Sequence, residues 1–165
     1  METVINNTQI SKDFDKKSIV VSREFNAPVE EVWQAYTDPK ILDQWWGPAP
    51  WRAETKHMDF RVGGYWLYVM IGPQGEKQWG RMNYLAIDRY KSFEAEDEFC
   101  DENGKLNAEL PVSKTQMVFT KTKNGTKADF IMTYSTEADL EKIIDMGFEQ
   151  GISICMDQLE KLLEK

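Results

Sequence analysis

His57, Asp59 and Arg61 have side-chain types and a spacing that could support chemistry. Successive side chains of a strand point to opposite faces, so residues two apart lie on one side of an extended segment. A histidine beside a carboxylate can transfer a proton, and a carboxylate beside a guanidinium can position a polar group of a ligand. The same residues also suit a structural ion pair at the Gly63-Gly64 corner, and the sequence leaves these alternatives open.

The remaining residue types narrow the chemistry further. His57 is the only histidine, and no GxSxG or phosphate-binding glycine motif accompanies it. Cys100 and Cys155 are far apart and form no CxxC pair, so neither a disulfide framework nor a thiolate metal site is predicted. We therefore expect no catalytic residues, no metal, no cofactor and no enzymatic activity. A cyclase- or hydrolase-type enzyme that uses His57 with Asp59 is the minor alternative.

Charge and hydropathy limit the partners. The chain has 20 basic and 28 acidic residues, and its net charge of −8 opposes the phosphates of nucleic acids and anionic membranes. No apolar run approaches the roughly 20 residues that span a bilayer, and the first 17 residues lack the apolar stretch of a secretory signal. We expect no nucleic-acid partner, no membrane partner and a cytoplasmic location. The acidic residues of 94–101 are interpreted as solvated charge, because they lack the spacing of a calcium loop.

The candidate residues are positioned by a simple order of elements. Residues 1–16 are predicted to be a flexible N-terminal arm, and 17–165 a single domain. A strand at 18–25 is followed by two short helices, the first ending at Asp38-Pro39 and the second covering about 39–44. Residues 51–134 have strand-like segments separated by turn signals, which predicts an antiparallel meander.

One hairpin and the C-terminal segment give sharper expectations. The Asn124-Gly125 pair predicts a two-residue loop, and the resulting register places Phe119 opposite Phe130. Residues 137–165 repeat apolar side chains at helical spacing over a stripe about 200° wide, which is broader than a surface helix needs. The pattern therefore predicts one long helix with an antiparallel sheet curled around it.

Gly147 and Gly151 lie four residues apart on the apolar stripe, where each glycine costs about 1 kcal/mol relative to alanine. Either the helix backbone packs closely on the sheet there, or the glycines leave a hole that an apolar ligand fills. A methyl group added at Gly151 would stabilise the protein in the second case and overpack it in the first. The many methionine and aromatic side chains suit a cavity, since methionine adapts readily to irregular space.

The predicted cavity residues come from the two faces that would enclose such a hole. They are Trp46, Met58, Trp66, Tyr68, Met117, Phe119, Phe130, Met132, Ile144, Gly147, Gly151 and Cys155. His57, Asp59 and Arg61 are the candidates for polar groups of the cavity.

Several motifs, taken in order, carry a family resemblance that covers about residues 17–165. They are Phe25-Asn26-Ala27-Pro28, Val32-Trp33, Thr37-Asp38-Pro39, Trp45-Trp46-Gly47-Pro48, Asp59-Phe60-Arg61-Val62-Gly63-Gly64, Gly80 and Met146-Gly147-Phe148. The chain resembles the activator of heat-shock-protein ATPase homologue group of the START/SRPBCC (birch-pollen-allergen-like) superfamily. The resemblance implies an α+β helix-grip fold, in which a curved antiparallel sheet of six or seven strands wraps around a long C-terminal helix with a cavity between them.

The resemblance carries over no catalytic residue, so binding is the leading hypothesis. We expect non-enzymatic binding of an unidentified small hydrophobic molecule between the sheet and the C-terminal helix. The alternative is a co-chaperone-like or stress-response module that binds a chaperone or another protein.

Overall fold

Nine antiparallel strands form one open sheet in the computed structural model, which describes residues 2–164. Along the sheet the strand order is β1-β2-β3-β9-β8-β7-β6-β5-β4. The strands are β1 (Glu2–Ile5), β2 (Thr8–Asp13), β3 (Ser18–Phe25), β4 (Arg52–Met58), β5 (Tyr65–Ile71), β6 (Lys77–Asp88), β7 (Ser92–Cys100), β8 (Ser113–Lys121) and β9 (Thr126–Thr133).

Four helices complete the fold. They are α1 (Val29–Thr37), α2 (Pro39–Trp45), α3 (Glu137–Asp145) and α4 (Phe148–Leu163). The α+β class, the helix-grip arrangement and the two short helices after the Ser18–Phe25 strand are confirmed. The number of strands is nine rather than the six or seven implied by the resemblance. Within residues 2–164, none of the helices is both long enough and apolar enough to cross a membrane.

The predicted flexible arm is wrong for residues 2–13, which form β1 and β2 and pair into the sheet. Asn6 and Asn7 both have positive φ, at 48° and 65°, as a tight two-residue hairpin loop requires. Ile10 is fully buried on the face that the sheet turns to the core. The polar composition concealed this hairpin because each strand buries only alternate side chains. Met1 lies outside the described residues.

The predicted single helix is broken into α3 and α4 at Gly147. That residue has φ 85°, in the left-handed region, and precedes the first residue of α4. Its amide donates to the Ile144 carbonyl at 3.0 Å, which closes the end of α3. Glycine adopts this conformation without the steric cost of a Cβ atom, so Gly147 ends one helix and allows the next to start in a new direction. Lys165, at the end of the predicted helix, lies outside the described residues.

The β8–β9 hairpin has a longer loop than predicted. Lys121 is opposite Thr126, so Phe119 pairs with Ala128 and not with Phe130. Residues 122–125 lie between the two strands, so the loop starts two residues earlier than predicted, and the Thr122 amide donates to the Gly125 carbonyl across it at 2.9 Å. Because the shift between strands is an even number of residues, the apolar side chains stay on the predicted face.

A buried charge fixes α4 against the N-terminal strands. Arg23 on β3 is 2% exposed, and its guanidinium lies 2.8 Å from Asp157 and 3.2 Å from Glu160 of α4. The same group donates to Thr8 Oγ1 on β2 at 2.8 Å. Burial of a guanidinium requires such partners, and they orient α4 across the sheet.

Candidate ligand-binding cavity

A cavity of about 210 Å³ lies between the sheet and the α3–α4 segment. Strands β5 to β9 supply one wall, and the residues around the α3–α4 junction supply the other. Met146 lines the cavity and is 46% exposed, so the cavity reaches the protein surface beside the helix break. The change of direction at Gly147 thus separates the helices where the cavity lies.

Several predicted cavity residues do line this space, and they come from both the sheet side and the helix side. They are Trp46, Tyr68, Phe130, Met132, Gly147, Gly151 and Cys155. Gly151 lies on the wall, and the nearest atom to a Cβ built on it is Pro48 Cγ at 3.7 Å. That distance is ordinary van der Waals contact, so the helix backbone does not pack tightly on the sheet at Gly151.

The other apolar candidates lie outside the cavity, in the filled part of the core. Phe119 packs edge-on against Trp33 and Tyr36 of α1, with ring centroids 5.4 and 5.3 Å away. Trp66 donates its indole N–H to Thr55 Oγ1 at 3.0 Å and stacks beside Tyr68. The remaining candidates pack into the core without lining the cavity, and they are Met58, Met117 and Ile144. Strand alternation predicted the correct face, but α1 fills one end of that face.

The polar candidates do not reach the cavity either. Arg61 Nε lies 2.5 Å from Asp59 Oδ2 in an exposed ion pair. The exposed imidazole of His57 stacks on Tyr65, with ring centroids 4.4 Å apart. The structural ion pair is therefore the alternative that the geometry supports for Asp59 and Arg61. Neither His57 nor Asp59 lines the cavity described above, so the proton-transfer alternative gains no support from it.

Three consecutive backbone carbonyls hold the Trp45–Gly47 segment against α4. Gln158 Nε2 donates to the carbonyls of Trp45 and Gly47, at 2.9 Å each. Cys155 Sγ donates to the Trp46 carbonyl, also at 2.9 Å. Burial raises the pKa of the Cys155 thiol to about 12, so it remains a protonated donor at neutral pH. These bonds position the Trp46 ring on the cavity wall.

Asp97 is a cavity residue that the sequence analysis missed. It lies on β7 opposite Met82 of β6 and Ser113 of β8, both of which are buried. The alternation of Phe93, Ala95, Asp97 and Phe99 along β7 contains the signal, because it places Asp97 on the apolar face. The interpretation of residues 94–101 as solvated charge is wrong at this position.

The environment of Asp97 disfavours its charge. Burial raises the pKa of the carboxyl to about 7, and the neighbouring charge of Glu98 adds to the rise. Among residues 2–164, no side chain or amide donates a hydrogen bond to this carboxyl. Burial, and secondarily the Asp97 charge, also raise the pKa values of Tyr68, Tyr84 and Tyr134. Within residues 2–164, the hydroxyl of Tyr84 and the indole N–H of Trp46 are buried without a hydrogen-bond partner.

The family described as Activator of Hsp90 ATPase homolog 1-like protein matches residues 26–164. The chain belongs to this family. Its membership confirms the resemblance found in the sequence motifs and agrees with the START/SRPBCC fold. A ligand-binding or a co-chaperone-type module is consistent with this Activator of Hsp90 ATPase homolog 1-like fold.

Solved structures of similar proteins share the fold over almost the whole chain. Protein Ms6760 from Mycobacterium smegmatis is 36% identical, with a TM-score of 0.88 over 99% of this chain and 97% of that one. A protein from Arthrobacter aurescens is 33% identical, with a TM-score of 0.88 over 93% and 90% of the two chains. A Staphylococcus epidermidis protein is 30% identical, with a TM-score of 0.81 over 93% and 92%. No curated protein matches this chain.

Gly147 and Gly151 are expected to respond oppositely to substitution by alanine. Gly151→Ala should stabilise the fold by about 0.4 to 1 kcal/mol, because the methyl meets only Pro48 and the unfolded chain loses freedom. Gly147→Ala should destabilise it by about 1 to 2 kcal/mol, because φ there is left-handed. Urea unfolding with an unchanged m-value measures both. Destabilisation by Gly151→Ala would mean that the helix packs closely on its neighbours at that position.

Proposed function

We propose that this protein binds a small, largely apolar molecule in the cavity between the sheet and the α3–α4 segment, without transforming it. The observation that carries the proposal is the cavity itself, at about 210 Å³ and walled largely by aromatic and aliphatic side chains. A cavity of roughly 150 Å³ with apolar walls is already enough to take up benzene. The space here therefore fits a single-ring or small two-ring compound.

The titratable groups of the cavity wall support binding over catalysis. Burial favours the neutral forms of the Cys155 thiol and of the Tyr68 and Tyr134 hydroxyls. A nucleophile or general base works best with a pKa near the working pH, and these three groups are shifted away from it. Burial raises the pKa of the Asp97 carboxyl to about 7, and within residues 2–164 no group of three or more His, Cys, Asp or Glu side chains is placed to hold a metal ion.

The proposal is tested by a thermal shift and calorimetry screen with small apolar compounds such as indole, naphthalene and 2-phenylethanol. A ligand at 100 times its dissociation constant should stabilise the protein by about 2.7 kcal/mol. Gly151→Leu extends a side chain from the cavity wall and should abolish that stabilisation. Ile154→Leu, on the exposed side of the same helix, is the matched control and should keep it. Native mass spectrometry without a bound molecule, together with a screen lacking any stabilising compound, would contradict the proposal.

A second candidate function is docking onto a chaperone, as a cytoplasmic stress-response module. The family description and the net charge of −8 favour it. Binding through exposed charge would weaken with salt, since the screening length is about 10 Å at 0.1 M. A pull-down with the chaperone of the same host at low and moderate salt, combined with its ATPase rate, separates this candidate from ligand binding. An unchanged ATPase rate would rule it out.

A further inference from the structure

The charged residues that line the cavity are both acidic. Asp97 and Glu98 contribute to the wall, and within residues 2–164 no lysine, arginine or histidine does. The α3–α4 side contributes only uncharged residues, such as Ile143, Phe148 and Ile152. A ligand in this cavity therefore meets negative charge from the sheet and no compensating positive charge.

Of the two acidic residues, Asp97 is the one whose negative charge has no positive charge near it in the described part of the chain. Its backbone neighbours Met82 and Ser113 offer no charge, and no donor among the described residues binds its oxygens. Glu98 differs, since it lies directly opposite Arg81 on the neighbouring strand. The Arg81 guanidinium stacks over Tyr65 at 3.9 Å and donates to Asn83, so it is held away from Asp97. An ionised Asp97 is thus left without a cationic partner among residues 2–164.

The groups that act on Asp97 from the surrounding elements are all neutral or acidic. They are Tyr68 of β5, Tyr84 of β6, Glu98 and Cys100 of β7, Ser113 of β8, and Tyr134 just after β9. An ionised carboxylate in an apolar cavity is costly unless a cation pairs with it. Aromatic rings such as Trp46 and Phe130 on the wall would add cation–π attraction.

We infer that the cavity selects apolar molecules carrying one protonated amine, which pairs with the Asp97 carboxylate, and discriminates against apolar carboxylates. The inference rests on the proposed function and specifies the charge of its ligand. A carboxylate ligand would add a second negative charge beside Asp97, and a neutral ligand would leave Asp97 without a partner. An amine would therefore supply the cation that Asp97 lacks among the described residues.

The pairing makes binding depend on pH. An amine with an ordinary pKa stays protonated throughout the neutral range, whereas Asp97 loses its proton at about pH 7. Because pairing requires the ionised carboxyl, affinity for the amine should rise with pH and level off above that value. Affinity for an uncharged analogue has no such requirement.

The test compares three probes of similar size, namely 2-phenylethylamine, 2-phenylethanol and 3-phenylpropanoate, by calorimetry and thermal shift at about pH 8. We expect the amine to bind about tenfold or more tightly than the alcohol, and the carboxylate to bind most weakly. Asp97→Asn should lower amine affinity about tenfold and remove its pH dependence while leaving the alcohol unaffected. Glu96→Gln removes one carboxylate from the exposed side of the same strand and is the control. It should change neither the affinity for the amine nor the affinity for the alcohol.

The outcomes separate this inference from the proposed function. Binding of the alcohol as tightly as the amine, or tightest binding of the carboxylate, would overturn charge selection and leave apolar ligand binding standing. Failure of every apolar probe would remove the proposed function and this inference together. The ranking of the probes and its pH dependence on the unmodified protein need no variant, so the test holds even where Asp97→Asn does not fold.

Discussion

Gly47→Ala is expected to destabilise the protein by about 3 kcal/mol or more, at the upper end of what overpacking costs. A Cβ atom at Gly47 would lie 2.4 to 2.5 Å from backbone atoms of Arg52 and Ala53. Backbone atoms cannot move aside as a flexible side chain can, so the whole turn between α2 and β4 would have to shift. The measurement is chemical denaturation of the variant against the unmodified protein.

The same change should disturb the cavity as well as the stability. Gly47 accepts a hydrogen bond from Gln158, and its neighbour Trp46 lines the cavity. We expect altered tryptophan fluorescence or near-ultraviolet circular dichroism in the Gly47→Ala protein. Gln44→Ala, exposed at the end of α2, is the control and should cost about 0.5 kcal/mol or less. Equal stability of Gly47→Ala and the unmodified protein would show that the turn tolerates the added atom.

In the absence of ligand, Asp97→Asn is expected to stabilise the protein more at alkaline pH than at pH 4. The difference between the two stabilisations should be about 2 to 4 kcal/mol. The folded-state pKa of Asp97, at about 7, lies above its ordinary unfolded value of about 3.9. Between these values the folded state retains a proton that the unfolded state has lost. Stability contributed by Asp97 is therefore fully present below about pH 4, is lost as the pH rises to about 7, and stays lost above it. Asp97→Asn has no carboxyl at this position, so the variant does not lose this stability as the pH rises.

The measurement is the free energy of unfolding from pH 4 to pH 8 for three proteins, namely the unmodified chain, Asp97→Asn and Glu96→Gln. Subtracting the Glu96→Gln curve removes the effect of deleting one carboxylate from β7. A difference between Asp97→Asn and the unmodified protein that is constant across this range would mean that Asp97 ionises as freely as a surface carboxyl.

Together these expectations describe a residue that lowers the stability of the protein without ligand. Asparagine fits the same space and avoids the cost of a buried charge, so stability alone does not account for an aspartate at position 97. Pairing with a ligand cation would recover that cost on binding. Local conflicts between a side chain and its surroundings are expected at functional sites.

The parts of the fold that the sequence predicts are those with a local and periodic signal. Val29, Val32, Trp33 and Tyr36 share one helix face, and all four are buried in α1. The meander of residues 51–134 follows from its turn residues, and its strands are sequential neighbours in the sheet from β4 to β9. In these segments local propensity and tertiary packing favour the same structure.

The parts that the sequence does not predict depend on positions fixed by distant elements. Phe119 and Phe130 have the same residue type and lie on the same sheet face, yet α1 packs against Phe119 while Phe130 lines the cavity. Asp97 was concealed by the acidic residues around it, because composition outweighed alternation along β7. The position of the helix break followed from a backbone angle at Gly147 that no spacing pattern specifies.

The hairpin formed by β1 and β2 affects whether copies of this protein pair through their sheet edges. Without β2, one side of β3 would present unpaired amides and carbonyls along a sequence containing Ile19-Val20-Val21, which is a template for pairing with another chain. The hairpin covers that side and places the four-residue β1 at the outside. At the opposite end of the sheet, β4 carries the exposed charges of Arg52, Glu54 and Lys56. Short strands and charged side chains both discourage growth of a sheet from one molecule to the next, so both free edges of this open sheet are protected against aggregation.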